Sequence, residues 1–156
     1  RNFWNKSGQN IYISLDYDYD CDNTVLDDIC DKLCKGEKSD RCKKVIVLSE
    51  QNGVDINTAY KTLEYALASK EKNIEMILNA IKLLHPTSGA RLEELVKKDE
   101  KLIYKTIRIW LFMRSRSYDK AQFAQILSKE IEDHKDSFII PDYIKKAIYA
   151  VTREED

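Results

Sequence analysis

Glycine and proline are scarce in this chain, four and two among 156 residues. That excludes collagen-like, linker-rich and hairpin-rich all-β classes, which need frequent left-handed or ring-fixed backbone. Long apolar runs are missing too: no window approaches the roughly 18–20 residues that span a bilayer, so no membrane partner is expected. Neither sign of charge dominates, since 26 Lys and Arg face 27 Asp and Glu for a net charge of -1. A general nucleic-acid binder, with a pI above about 9, is not expected from that balance. Histidine occurs only as His85 and His134, and neither lies in a serine- or cysteine-nucleophile motif. Arg1-Asn2-Phe3-Trp4-Asn5 is no secretory signal, and the missing initiator Met points to a segment of a longer protein.

What is present is a helical pattern. Apolar residues recur every three or four positions from Thr24 onward, in short blocks separated by polar breaks. The spacing predicts eight helices. The first carries Val25, Leu26, Ile29 and Leu33, with an N-cap among Asp22, Asn23 and Thr24 and an end at Lys35-Gly36. The second carries Val45, Ile46 and Leu48 and ends at Asn52-Gly53. Leu63–Ala68 and Ile74–Leu84 mark the third and fourth, followed by a break over His85-Pro86-Thr87-Ser88-Gly89. Leu92, Leu95 and Val96 mark the fifth, Leu102–Leu111 the sixth, Phe123–Ile131 the seventh, and Tyr143–Val151, after Pro141, the eighth. Such short helices need neighbours to be stable.

Cys21, Cys30, Cys34 and Cys42 fall in one short stretch. Three states stay open for them: reduced structural thiols, a disulfide framework in a secreted protein with Asn5-Lys6-Ser7 as a glycosylation acceptor, or zinc ligands. No C-x-x-C knuckle is present. Asp16, Asp18, Asp20, Asp22, Asp27, Asp28 and Asp31 form an acidic run with no base between Lys6 and Lys32. A calcium loop would use Asp16, Asp18 and Asp20, but Cys21 stands where the loop needs Gly and Asp27 where it needs Glu. A metal-dependent phosphoryl-transfer enzyme would take Ile11–Leu15 as a strand delivering Asp16 as nucleophile and Asp18 as acid. It would need a parallel sheet, and the pattern after that strand is helical.

Paired short helices prompt a search for repeats. Asn52-Gly53-Val54-Asp55-Ile56-Asn57 closes one helix pair. Thr62-Leu63-Glu64-Tyr65-Ala66-Leu67-Ala68, then Asn73-Ile74-Glu75-Met76-Ile77-Leu78, opens the next. These segments resemble the ankyrin repeat, clearest over residues 45–80, with weaker passes at Gly8-Gln9-Asn10-Ile11, at Thr24–Cys30 and at Gly89–Leu95. Neither restart has the family's Pro or His, and Ile29 replaces its small Ala. The resemblance implies an all-α, stacked helix-turn-helix solenoid over residues 1–111, with residues 112–156 as a divergent helical cap or the start of another helical domain. It implies an intracellular, non-enzymatic protein-interaction module without a cofactor, of a kind that bacteria and viruses also direct into host cytoplasm.

On that resemblance, residues 9–23 become a projecting finger, with alternating Tyr and Asp on opposite faces. The expected partner-binding residues are Tyr17, Asp18, Tyr19, Asp20 and Asp22 on this finger and Asp55, Asn57, Thr58 and Tyr60 on the second. Their carboxylates would suit a protein with a basic surface. The competing reading is a solvated loop whose tyrosines cover the helices below. A second patch, Lys105, Arg108, Arg114 and Arg116 with Trp110, Phe112 and Tyr118, interleaves bases and aromatics as RNA- or phosphate-binding segments do. Ile107, Trp110 and Leu111 fall at core spacing, which favours a structural role there.

Overall fold

The computed structural model describes residues 17–36, 40–116 and 119–152. Expectations that fall on Asn5, Gly8–Asp16 and Tyr118 lie outside them. The described residues form eight α-helices and no strand: α1 Asn23–Lys35, α2 Asp40–Asn52, α3 Leu63–Ala68, α4 Glu71–Leu84, α5 Pro86–Lys98, α6 Leu102–Ser115, α7 Lys120–Asp133 and α8 Asp142–Thr152. The described residues are all-α, as their periodicity predicts.

The helix starts follow local chemistry. Asp22 holds an extended backbone before α1, and its carboxylate accepts from the Val25 N–H at 3.0 Å. Thr62 does the same for α3 through the Tyr65 N–H. Pro86 occupies the first position of α5, where its missing N–H costs nothing. The break expected over His85–Gly89 is therefore confined to His85, and Gly89 lies inside α5. A glycine is needed there for packing: a Cβ would stand 3.0 Å from the Cα of Lys82 on α4.

The core centres on α6. Tyr104 and every residue from Thr106 to Met113 are buried, so this helix is enclosed on all sides rather than along one stripe. It packs on α3, α5 and α1, while α4 packs on α5, α7 and α3. The main contacts thus join α4 to α7 and to α5, and α3 to α6, a mostly apolar helix that also buries Thr106 and Arg108. Position 111/112 falls within α6, and Phe123 and Leu127 of α7 join the same core as Leu26, Ile29 and Leu33 of α1. Each such side chain, fully buried, contributes about 1.5–3 kcal/mol relative to exposure. At the periphery, α2 buries only Cys42 and α8 buries nothing.

Candidate functional site

The first expected finger does not stand clear of the domain. Tyr19 is buried with its ring edge-on to Phe112 at 5.0 Å, and Tyr17 packs half-buried beside Lys32. Tyrosine and aspartate do take opposite sides, but along a turn closed by the Cys21 N–H donating to the Asp18 carbonyl. The carboxylates face outward and have intrachain partners. Asp18 accepts from the Tyr19 N–H, Asp20 pairs with Arg91 at 3.2 Å, and Asp22 caps α1.

Arg108 fixes this turn from below. It is 3% exposed and pairs with Asp99, which is also buried, Nε to Oδ2 at 2.6 Å. Its Nη1 donates to the carbonyls of Tyr19 and Cys21, each at 2.8 Å. Arg108 is therefore withdrawn from the basic-aromatic patch. Arg116 lies over the rings of Phe112 and Tyr19, and Arg114 over Trp110, so this patch is built into the core's edge.

The second expected finger is more open. Gly53 takes φ 63°, the left-handed conformation that lets α2 end and the chain reverse. Asp55, Asn57 and Thr58 are exposed beyond it. The loop is fixed at its far end by Tyr60, whose hydroxyl donates to the Leu33 carbonyl at 2.7 Å and whose ring lies 5.8 Å from that of Tyr65. Hollows flank the loop on both sides. One, of about 570 Å³, lies against Ile46, Ser49 and Glu50 of α2. The other, of about 550 Å³, is framed by Asn57, Thr58 and Tyr60 of the loop, Tyr65 and Lys70 around α3, and Tyr143 of α8. Burial raises the Tyr143 hydroxyl's pKa, and the charge of Glu64 adds to the effect. Burial lifts that of Tyr65 further, so both remain neutral hydrogen-bonding phenols at physiological pH.

Three side chains that periodicity did not single out shape this region. Lys61 is 6% exposed, has no carboxylate partner among the described residues, and lies 5.3 Å from the Trp110 ring. Burial, then the charge of Arg114, lowers its pKa to about 8. Asn73 is wholly buried and bonds to Leu67 and Ile139. Lys70 pairs with Asp142 at 2.9 Å. A polar residue on an apolar helix face is the sequence signal for Asn73; nothing local marks the other two.

The arrangement offers aromatic area and hydrogen-bonding groups for recognition. The four cysteines are free thiols and no disulfide joins them. Among the described residues, no three His, Cys, Asp or Glu side chains come together to hold a metal ion, and no helix is long and apolar enough to cross a membrane. His85 pairs with Asp119 at 2.7 Å and packs on Phe112, while His134 caps the end of α7. No protein-family model, no curated protein and no solved structure matches the chain.

Proposed function

We propose that this chain is a non-enzymatic protein-interaction module of ankyrin-like character, acting inside cells, with the loop of residues 53–60 as its recognition ridge. The observation that carries this reading is the convergence of exposed Asn57 and Thr58 with Tyr60, Tyr65 and Tyr143 around one open cleft. Tyrosines offer large contact area with little side-chain entropy to lose, and amide and hydroxyl groups add adaptable hydrogen bonds. The ridge is held in shape at both ends, by Gly53 and by the Tyr60–Leu33 bond, which lowers the ordering cost of binding. The ankyrin-like character rests on the sequence resemblance over residues 45–80, and the left-handed Gly53 turn and the Thr62 cap are compatible with it. Of the two fingers, the second is the better recognition surface, because Tyr17–Asp22 is engaged with α1, α5 and α6.

The test is partner capture by three forms of the protein: the wild type, Asn57→Ala/Thr58→Arg, and Asp18→Asn/Asp20→Asn/Asp22→Asn. The loop variant is expected to lose the captured protein by about tenfold or more, as central contact residues do. The finger variant is expected to retain it. Undiminished capture by the loop variant, with its helical signal intact, would exclude the ridge.

A further inference from the structure

Asn73, in the first turn of α4, is wholly buried, yet its amide bonds to backbone outside its own helix. Its Nδ2 donates to the Leu67 carbonyl at 3.1 Å and to the Ile139 carbonyl at 2.8 Å. Its Oδ1 accepts from the Ile139 N–H, also at 2.8 Å. The exchange of both bonds with one residue is the pattern of a hydrogen-bonded pair in a β-ladder. Asn73 therefore reads an extended backbone and leaves the identity of residue 139 free.

The neighbouring contacts hold the rest of this segment. Pro141 is buried, and Asp142 reaches Lys70 at 2.9 Å. Beyond them the chain is barely attached: α8 buries no residue, and Ile148, Tyr149 and Val151 are 42, 55 and 82% exposed. Residues 139–142 are thus seated as a short peptide ligand would be, by backbone pairing, one proline and one acid. Alongside, the cleft of about 550 Å³ is walled in part by Pro141, Asp142 and Tyr143 and is not filled by them.

We propose that the surface formed by Asn73 and Lys70 is a peptide-docking site, that Ile139–Asp142 is its intrachain occupant, and that a partner protein displaces this occupant with an extended segment carrying Pro–acidic in the places of Pro141 and Asp142. This rests on the chain being an interaction module and names the chemistry of its partner. A second copy's arm would bring only the contacts already made, against an intrachain competitor whose effective concentration is on the order of mM. A partner segment that also places an apolar side chain in the cleft lined by Tyr60 and Tyr65 gains contacts the arm lacks. Displacement would detach α8, whose Ile148, Tyr149 and Val151 are already exposed.

The probe is a labelled synthetic peptide copying residues 136–144, titrated into the full chain carrying Ile139→Pro, which removes the N–H that Asn73 accepts. Saturable binding is expected, at least about tenfold tighter than to the wild-type chain, where the arm competes. Methylating the peptide nitrogen at the position of Ile139, or replacing its proline by alanine, should weaken binding by about tenfold. If Ile139→Pro unfolds the chain, Asp142→Lys replaces it, since that reversal sets two lysines against each other. No saturable binding to a chain that keeps its helices, equal binding of the methylated peptide, or a dimer formed by arm exchange would each overturn the proposal. Capture that depends on Asn57 and Thr58 would survive those failures, which separates them from failure of the interaction reading.

Discussion

Arg108→Met tests the reasoning most directly, because one side chain joins the α5–α6 junction to the segment before α1. The substitution keeps most of the buried volume and removes the charge. Asp99, 7% exposed, is left without its guanidinium partner, and the Tyr19 and Cys21 carbonyls lose their donor. Removing one member of a buried pair costs about 3–5 kcal/mol, mostly the penalty of stranding the other charge. For a chain of this size each kcal/mol lowers the melting temperature by about 2–4 °C, so a fall of about 6–20 °C is expected. Urea and thermal unfolding followed by circular dichroism measure the loss, and hydrogen exchange locates it. Amides of residues 17–22 should exchange much faster while those of α4 and α7 change little. Adding Asp99→Leu should recover most of the loss, since an apolar pair carries no stranded charge. The reasoning fails if Arg108→Met costs under about 1 kcal/mol, or if the double variant is no more stable than the single one.

Two further perturbations follow from the packing. Lys61 is charged in the unfolded chain up to about pH 10.5, but in the fold only up to about 8. Between those values the unfolded state binds more protons, so this group's contribution to stability rises with pH across that window. Lys61→Met should therefore stabilise the protein at pH 7, by on the order of 3 kcal/mol, and the advantage should shrink toward pH 10; a constant difference in urea titrations at the two pH values would refute the assignment. Gly89→Ala gains about 1 kcal/mol of helix propensity but drives a methyl against the α4 backbone at 3.0 Å. Overpacking of that kind costs about 1–3 kcal/mol, and a raised melting temperature would show that the α4–α5 contact is looser than described.

Much of the fold is legible along the chain, because helix periodicity and caps are local. Leu26, Ile29 and Leu33 are three- and four-spaced and are buried as a row, and Asp22 and Thr62 announce the helices they cap. The sequence suggests a wider break at His85 because Thr87, Ser88 and Gly89 carry turn chemistry, whereas α4 needs a residue without a side chain beside Lys82. Tyr17–Asp22 alternates as a finger would, but alternation does not reveal that Phe112, 93 positions beyond Tyr19, supplies a surface for one face. The basic-aromatic run shows the same limit. Arg108 and Arg116 look alike in sequence, and only their three-dimensional partners separate a buried ion pair from a cation on a ring.

The sequence by itself determined the helical class, the helix order, the end of α2 at Asn52-Gly53 and the apolar residues available for a core, since each depends on spacing or on neighbours a few positions away. Tertiary structure alone decided that α6 lies at the centre, that one finger folds back while the other stays open, and that Asn73 meets Ile139 across 66 positions. Those outcomes come from contacts between segments distant in the chain, where burying apolar surface and satisfying buried polar groups selects among arrangements that the local pattern leaves open.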